Sequence, residues 1–193
     1  SFRASGDFNA DGKIELAAGA IGNSNKVYIF YNDGSIPTTA GTADVTITNS
    51  GGGSCYFAQS FAVGDFNSDG RTDFSVGGRA CGGFSGYVYI FYNDGSIPTT
   101  AGTADVSISS SGGLLDLYFG ESLAAGDFNT DGKTDLAVGS PAAASNGNVY
   151  IFYNDGSIPT TAATADITIT GESVNNSFGI SLSSGDFNAD GKT

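Results

Sequence analysis

Short runs of apolar residues, separated by polar turns, fill the chain. Residues 148–153 are apolar at every position after the first, which is typical of a strand buried on both faces. Residues 165–170 alternate instead, with Ile167 and Ile169 on the inward face and threonines on the outward face, which indicates a half-exposed outer strand. No segment longer than a turn has a 3.6-residue apolar period, so we expect no substantial helix.

Two further strands complete a four-stranded unit. Ser122–Asp127 leads into a loop rich in aspartate and asparagine, and Asp135–Gly139 follows that loop. Asn154-Asp155-Gly156 provides the turn between the third and fourth strands, because glycine accepts a positive φ angle. The sequence therefore predicts units of four short antiparallel strands.

This four-strand pattern is an internal repeat. Tyr28–Ala40 recurs letter for letter at Tyr89–Ala101 and Tyr150–Ala162, in two steps of 61 residues. The element Gly-Asp-Phe-Asn-x-Asp-Gly occurs four times, with steps of 58, 62 and 59 residues between its first aspartates. A two-sheet sandwich would not explain this period, so we interpret the chain as a repeat array of three full units and the start of a fourth. The predicted units are residues 1–60, 61–122, 123–181 and 182–193.

The amino-acid composition argues against several classes of function. The 193 residues include no His, Met or Trp, so the commonest general base and metal-binding nitrogen is absent, and we expect no enzyme activity. The net charge of −13 argues against nucleic acid, and no window approaches 18 consecutive apolar residues, so we expect no membrane insertion. The chain begins without Met or a signal peptide, which predicts a processed protein or part of a longer one.

Acidic residues concentrate in the repeated Asp-rich loops, which hold 11 of the 20 Asp and Glu residues. Oxygens at loop positions 1, 3 and 5, the main-chain carbonyl at position 7 and a carboxylate at position 9 converge on a hard cation, and glycine at position 6 permits the bend. Asp/Asn-Gly turns without an ion are the alternative, but three complete copies at a fixed phase favour Ca²⁺, which we interpret as structural. The candidate ligands are Asp7, Asn9, Asp11, Lys13 and Glu15; Asp65, Asn67, Asp69, Arg71 and Asp73; Asp127, Asn129, Asp131, Lys133 and Asp135; and Asp186, Asn188 and Asp190 of a fourth copy that stops at position 8. The Lys and Arg residues at position 7 would use only their carbonyls, with the side chains pointing outward.

Two more elements flank these loops. A Phe-Gly pair occurs as Phe119-Gly120 and Phe178-Gly179, and in altered form as Phe57-Ala58. A Gly-Ala-Pro-like element occurs as Gly139-Ser140-Pro141, more loosely as Gly19-Ala20-Ile21, and barely as Gly77-Gly78-Arg79. With the acidic loop between them, these elements resemble the FG-GAP repeats of integrin α-subunit β-propellers and of many bacterial surface proteins.

The resemblance implies an all-β fold of FG-GAP β-propeller-type blades, each of four antiparallel strands, with Ca²⁺ as the cofactor. The second acidic loop matches the calcium loop of that family position by position. Propellers of the family usually close with about seven blades, whereas three units leave open strand edges. We therefore expect the partners to be copies of this chain or adjoining repeats of a longer chain.

Two cysteines, a glycosylation sequon and the repeated Pro-Thr-Thr segments bear on the surface chemistry and the cellular compartment of the protein. Cys55 and Cys81 both fall in the second unit, which predicts a disulfide in an oxidising compartment, with free thiols as the alternative. Asn175 begins the only Asn-x-Ser/Thr sequon and is a candidate glycosylation site. The repeated Pro-Thr-Thr segments suit O-linked sugar, although a polar loop explains them as well. We expect an extracellular or cell-surface protein.

Two functions fit these observations best. The first is a non-catalytic, calcium-stabilised extracellular repeat protein that forms part of a structural surface assembly or filament, in which each open edge docks on the next unit. The alternative is an adhesion propeller that binds a surface protein or glycan through its variable loops. An enzyme would need its catalytic part outside this chain. The variable loops are Ile21–Lys26, Arg79–Gly86 and Pro141–Asn148, and Asn49–Tyr56, Ser110–Tyr118 and Gly171–Ser177.

Overall fold

The computed structural model describes residues 3–21, 25–49, 55–81, 85–111 and 117–193. These residues form β-strands joined by turns, with short 3₁₀ turns at Ala40–Thr42, Ala101–Thr103, Ala143–Ser145 and Ala162–Thr164 and no α-helix, so the all-β prediction is confirmed. The strands are β1 (Arg3–Gly6), β2 (Glu15–Ala20), β3 (Lys26–Phe30), β4 (Val45–Thr48), β5 (Tyr56–Gly64), β6 (Asp73–Arg79), β7 (Tyr87–Phe91), β8 (Val106–Ser109), β9 (Ser122–Gly126), β10 (Asp135–Ser140), β11 (Asn148–Phe152) and β12 (Ile167–Thr170).

The strands form three four-stranded sheets, which we call blades 1, 2 and 3. Their strand orders are β1-β2-β3-β4, β5-β6-β7-β8 and β9-β10-β11-β12, so each blade is a simple meander. All neighbouring strands are antiparallel; in blade 3, for example, Leu136 pairs with Phe152 and Val138 with Tyr150. β5 crosses the unit boundary at residue 60, and the division into repeat units stays a prediction.

Aromatic side chains fill the space between neighbouring blades. Phe8 packs edge-on against Phe74 of blade 2, with ring centroids 5.4 Å apart, and Phe74 stacks on Phe91 at 5.1 Å. Phe119 packs against Tyr150 of blade 3 at 5.7 Å. These side chains are at most 5% exposed, so their removal from water holds adjacent blades together.

Backbone hydrogen bonds also join each blade to the next. Thr48, at the end of β4, donates its N–H to the carbonyl of Thr99 at 2.9 Å. Ser109, at the end of β8, donates to the carbonyl of Thr160 at 3.0 Å. Thr99 and Thr160 belong to the identical Pro-Thr-Thr segments of blades 2 and 3, so the outer strand of one blade forms a parallel β-bridge with a segment of the following blade.

The outer strand of blade 3 differs from its counterparts. Ile47 in β4 and Ile108 in β8 are fully buried, as the alternating pattern predicts. Ile167 and Ile169 in β12 are instead 38% and 43% exposed. Ile169 pairs with Val149 in the same register as Ile47 with Val27, so β12 has the predicted alternation, and its isoleucines are exposed because no further blade covers them within the described residues.

A disulfide joins the ends of two neighbouring strands in blade 2, opposite the acidic loop. It joins Cys55, immediately before β5, to Cys81, two residues after the end of β6. The two strands it ties are neighbours in the sheet, so the bond fixes the end of that hairpin. None of the helical turns in the described ranges is long and apolar enough to cross a membrane.

Candidate metal centres

The acidic loops are the turns of the first hairpin in each blade. They connect β1 to β2, β5 to β6 and β9 to β10, and a fourth copy follows blade 3. Position 1 follows directly after a strand, and position 9 is the first residue of the next strand: Glu15, Asp73 or Asp135. The hairpin thus brings the two ends of the loop together and buries the position-9 carboxylate, which is at most 1% exposed.

Glycine at position 6 makes the predicted bend in every copy. Gly12, Gly70, Gly132 and Gly191 have φ angles of 84°, 83°, 85° and 86°. Glycine adopts such angles at little steric cost because it has no Cβ. The residue at position 4 also has a positive φ angle in all four loops, a feature that the sequence did not predict.

Backbone amides of the bend hold the polar side chains in place. In the first loop, Asp7 accepts N–H bonds from Asp11 at 3.0 Å and from Gly12 at 2.9 Å. Asn9 accepts from Asp11 at 3.0 Å, and Asp11 accepts from Lys13 at 2.9 Å. The other three loops repeat these bonds. The side-chain oxygens at positions 1, 3 and 5 are therefore fixed around one bend before any ion binds.

The first loop brings its three carboxylates together. Asp7, Asp11 and Glu15 each place a carboxylate oxygen within 4.8 Å of the others. Glu15 Oε2 accepts the N–H of Phe8 at 2.7 Å, while Glu15 Oε1 is buried without a hydrogen-bond partner. A buried carboxylate oxygen without a partner is costly unless a cation pairs with it. This all-oxygen donor set therefore fits a hard cation such as Ca²⁺.

The second and third loops hold their position-9 carboxylates differently. Asp73 Oδ2 accepts the N–H of Phe66 at 2.9 Å, and Asp73 Oδ1 accepts the N–H of Asn93 at 2.8 Å. Asp135 is held in the same way by two backbone amides. Within the described ranges, only the first loop clusters three carboxylates within 4.8 Å. The candidate ligands are thus in place in all loops but lie closest together around Glu15.

Burial makes the position-9 aspartates costly to ionise. Removal from water raises the pKa of Asp73 from 3.8 to about 6, although N–H bonds from neighbouring amides lower it. Burial likewise raises the pKa of Asp135. In the exposed fourth loop, the N–H bond from Gly191 instead lowers the pKa of Asp186. A cation beside the buried carboxylates would favour their charged form and offset the cost of burial.

The basic residues at position 7 do not all behave as predicted. The side chain of Lys13 folds back and pairs with Asp11 at 3.1 Å, so the expectation that it points outward is wrong. Arg71 reaches the carbonyl of Asn93 at 3.1 Å. The Lys13–Asp11 pair is exposed and contributes little to stability, so a cation can replace the ammonium group at low cost.

A polar cluster at the end of blade 2 opposite its acidic loop was not predicted. Arg79 pairs with Glu121, which lies before β9, at 2.8 Å, and Gln59 also donates to Glu121. The Arg79 guanidinium lies 4.4 Å and 5.1 Å from the ring centroids of Tyr56 and Tyr118. No local pattern predicts this cluster, because Arg79 and Glu121 lie 42 residues apart in the sequence.

Two buried asparagines beside the loops were missed as well. Asn93 and Asn154 belong to the Asn-Asp-Gly turns and are at most 3% exposed. Each donates its main-chain N–H to the position-9 aspartate of its own blade. The available signal was the letter-for-letter identity of this turn in all units, which was interpreted as turn chemistry alone.

Other predicted sites stay predictions. Asn175 is exposed, with a φ angle of 59°, at a position where a glycan would be accessible. Much of the variable loops, namely residues 22–24, 50–54, 82–84 and 112–116, lies outside the described residues.

The meander blades and their acidic hairpin loops define an all-β repeat protein of β-propeller type. The FG-GAP repeat model matches residues 119–152, and the FG-GAP-like repeat model matches residues 7–76. The chain belongs to the FG-GAP repeat family.

Curated relatives include a phospholipase D and integrin alpha chains. Phosphatidylinositol-glycan-specific phospholipase D of Mus musculus is 32% identical over 204 residues, which cover 92% of this chain and 23% of that protein. Integrin alpha-7 of Homo sapiens is 38% identical over 141 residues, which cover 70% of this chain and 11% of that protein. Integrin alpha-5 of Xenopus laevis is 33% identical over 147 residues, 70% of this chain and 13% of that protein. The chain spans less than a quarter of the length of these relatives.

Proposed function

We propose that this chain is a non-catalytic, calcium-stabilised extracellular repeat module that forms part of a structural surface assembly. The observation that carries this proposal is the repeated contact between blades: the outer strand of one blade binds the Pro-Thr-Thr segment of the next in both internal interfaces. A contact that uses two different surfaces and repeats in one direction builds arrays.

Blades 1 and 3 carry the two halves of that contact. Thr38 and Thr39 of blade 1 belong to a segment identical to those that cover β4 and β8, and they bind no outer strand within the described residues. β12 presents Ile167 and Ile169 without such a cover. The partner that fits these surfaces is a copy of this chain or an adjoining repeat of a longer chain.

Calcium is the cation that the loops fit best. Side-chain oxygens at positions 1, 3 and 5, the carbonyl of Lys13, Arg71 or Lys133, and the carboxylate at position 9 would hold it. The bound ion would neutralise the carboxylates of the loop and fix the hairpin. The buried, unpartnered Oε1 of Glu15 supports this assignment.

An extracellular, non-catalytic role agrees with the remaining chemistry. A disulfide such as Cys55–Cys81 persists in oxidising compartments. The chain has no His to act as a general base. The match to the phospholipase covers only 23% of that enzyme and coincides with FG-GAP repeats in this chain, so it supports a shared repeat region and not a shared activity.

Negative-stain electron microscopy of the purified chain in CaCl₂ and in EDTA would test the assembly. A CaCl₂ concentration of about 1 mM reaches the upper end of the dissociation constants of extracellular calcium modules. We expect regular filaments or oligomers in CaCl₂ and their loss in EDTA. An Ile169→Lys variant, which places a charge in the proposed contact, should stay monomeric while still folding. Wild-type particles that remain single in CaCl₂ at high concentration would contradict the assembly.

A second candidate is an adhesion module that binds a protein or glycan. The meander topology favours it. The acidic loops lie at one end of the strands in each blade, while the β2–β3, β6–β7 and β10–β11 connections lie together at the opposite end. These connections vary between units, as binding loops do. A glycan and surface-protein array would test it: binding that disappears when Pro141–Asn148 is replaced by the sequence of Ile21–Lys26 would support adhesion, and no binding by the wild-type chain would argue against it.

A further inference from the structure

Two buried asparagines lie between successive acidic loops. Asn93 comes from the turn between β7 and β8, and Asn154 comes from the turn between β11 and β12. They are 2% and 3% exposed. Neither is a candidate cation ligand, yet each contacts two loops that belong to different blades.

Asn93 connects the first loop to the second. Its side-chain Nδ2 donates to the main-chain carbonyl of Asp7, position 1 of the first loop, at 3.3 Å. Its main-chain N–H donates to Oδ1 of Asp73, position 9 of the second loop, at 2.8 Å. The other oxygen of Asp73 accepts the N–H of Phe66, at position 2 of that loop.

Asn154 continues the connection from the second loop to the third. Its Nδ2 donates to the carbonyl of Phe66 at 2.9 Å, and its N–H donates to Oδ1 of Asp135 at 2.8 Å. Asp135 Oδ2 accepts the N–H of Phe128 in the third loop at 2.8 Å. Because Phe66 uses its N–H in the first connection and its C=O in the second, one unbroken series of hydrogen bonds joins all three loops.

We propose that Asn93 and Asn154 are positioning residues that couple the cation sites, so that an ion bound in one loop favours both the docking of the next blade and the filling of the neighbouring loop. This inference rests on the proposed cation binding. The position-9 carboxylate is the point of coupling, since it is at once a candidate ligand and the acceptor for the asparagine that reaches the preceding loop.

The physical reason is that the middle of the series, formed by Asn93, Asp73, Phe66, Asn154 and Asp135, is buried, while Asp7 and Phe128 at its two ends are partly buried. A loop that shifts leaves a buried amide or carbonyl unpaired in its neighbour, which is unfavourable. An ion that fixes one loop therefore lowers the cost of ordering the next one, and thermodynamic linkage makes this effect reciprocal. The three sites should fill more steeply than independent sites do.

Blade 1 provides a matched control. Asn32 stands in the same Asn-Asp-Gly turn, with an identical surrounding sequence, but it is only half-buried and contacts no preceding loop in the described part of the chain. Glu15 replaces the aspartate at position 9 there, and its Oε1 accepts no N–H from Asn32. Asn32→Ala therefore removes the same side chain without breaking the series.

The test compares Asn93→Ala with Asn32→Ala in the 193-residue chain by titration calorimetry with CaCl₂. Coupling of this kind typically changes affinity by about fivefold or more. We expect a cooperative wild-type isotherm, a less cooperative isotherm with about fivefold weaker binding at the first loop for Asn93→Ala, which leaves the Asn154 connection in place, and a wild-type isotherm for Asn32→Ala. The rise in melting temperature that CaCl₂ produces should shrink in Asn93→Ala alone.

Other results separate the two proposals. If Asn93→Ala lowers the melting temperature equally in CaCl₂ and in EDTA and leaves the isotherm unchanged, the asparagine is a structural contact only and the coupling is refuted. Asn154→Ala provides an independent variant with the same expectations if Asn93→Ala does not fold. A wild-type chain that binds no Ca²⁺ would refute the proposed cation function itself, whereas independent sites would refute only the coupling.

Discussion

Glu15 stands where the second and third loops have aspartate, and its longer side chain leaves Oε1 buried without a partner beside Asp7 and Asp11. Glu15→Gln keeps the shape of the side chain and removes its charge. We expect the first loop to bind Ca²⁺ about tenfold more weakly, because a carboxylate ligand becomes a neutral amide. In EDTA the variant should melt no lower than the wild type, since an uncompensated buried charge has been removed.

Titration calorimetry with CaCl₂ measures the first effect and thermal unfolding in EDTA the second. Glu172→Gln is the matched control, because Glu172 is exposed and lies outside the acidic loops. Equal affinities of the two variants would show that Glu15 is not a ligand.

At this scale, what the sequence predicted depends on how far apart the residues lie. The ligand positions and the glycine bend fall within nine residues, so local backbone geometry determines them and the pattern is readable. Asn93 and Asp7 are 86 residues apart, and Arg79 and Glu121 are 42 apart. Such contacts exist only once the blades have docked, so neither composition nor spacing could predict them.

The elements dock closely because the second strand of each blade carries a glycine that faces the segment after its fourth strand, where the chain leads on toward the next blade. A Cβ on Gly19, Gly77 or Gly139 would overlap the main-chain carbonyl of Ala58, Gly120 or Gly179, respectively. These glycines belong to the Gly-Ala-Pro-like element, whose other residues match only loosely in units 1 and 2. The repeat pattern predicted the strands and their order, but the reason for this glycine is visible only in the contact between blades.

Gly77→Ala should therefore separate blades 2 and 3. We expect a loss of about 1–3 kcal/mol in the free energy of unfolding, because the added methyl group meets backbone atoms that have little room to move. Urea denaturation measures this loss. Gly41→Ala, where the added Cβ meets open space, is the control, and equal effects of the two substitutions would contradict the close-approach explanation.

The disulfide belongs to the same scale, since it ties two neighbouring strands of blade 2. Cys55 and Cys81 are 26 residues apart in sequence, and closing a loop of that size contributes about 3 kcal/mol. Reduction should lower the melting temperature of the wild-type chain. It should not change that of a Cys55→Ser, Cys81→Ser double variant, and a wild-type melting curve unaffected by reductant would show that the bond adds no stability.

The whole molecule carries a net charge of −13, and 11 of its 20 acidic residues lie in the acidic loops. Three bound Ca²⁺ ions would add six positive charges and change it to −7. At an affinity of about 10⁻⁴ M, millimolar Ca²⁺ stabilises each site by about 1.5 kcal/mol. Over three sites, we expect CaCl₂ to raise the melting temperature by about 10 °C relative to EDTA for a chain of this size.

The comparison must separate specific binding from screening of the negative charge. Thermal unfolding in EDTA with added NaCl at matched ionic strength provides that control, because screening acts on all exposed carboxylates whereas site binding requires the loops. MgCl₂ at the same concentration should stabilise less than CaCl₂, because Mg²⁺ demands a near-octahedral site and gives up its water reluctantly. If NaCl, MgCl₂ and CaCl₂ raise the melting temperature equally, the loops act only as a diffuse acidic surface. A rise that is larger in CaCl₂ than in MgCl₂ or NaCl assigns the stability of the array to its hairpin sites.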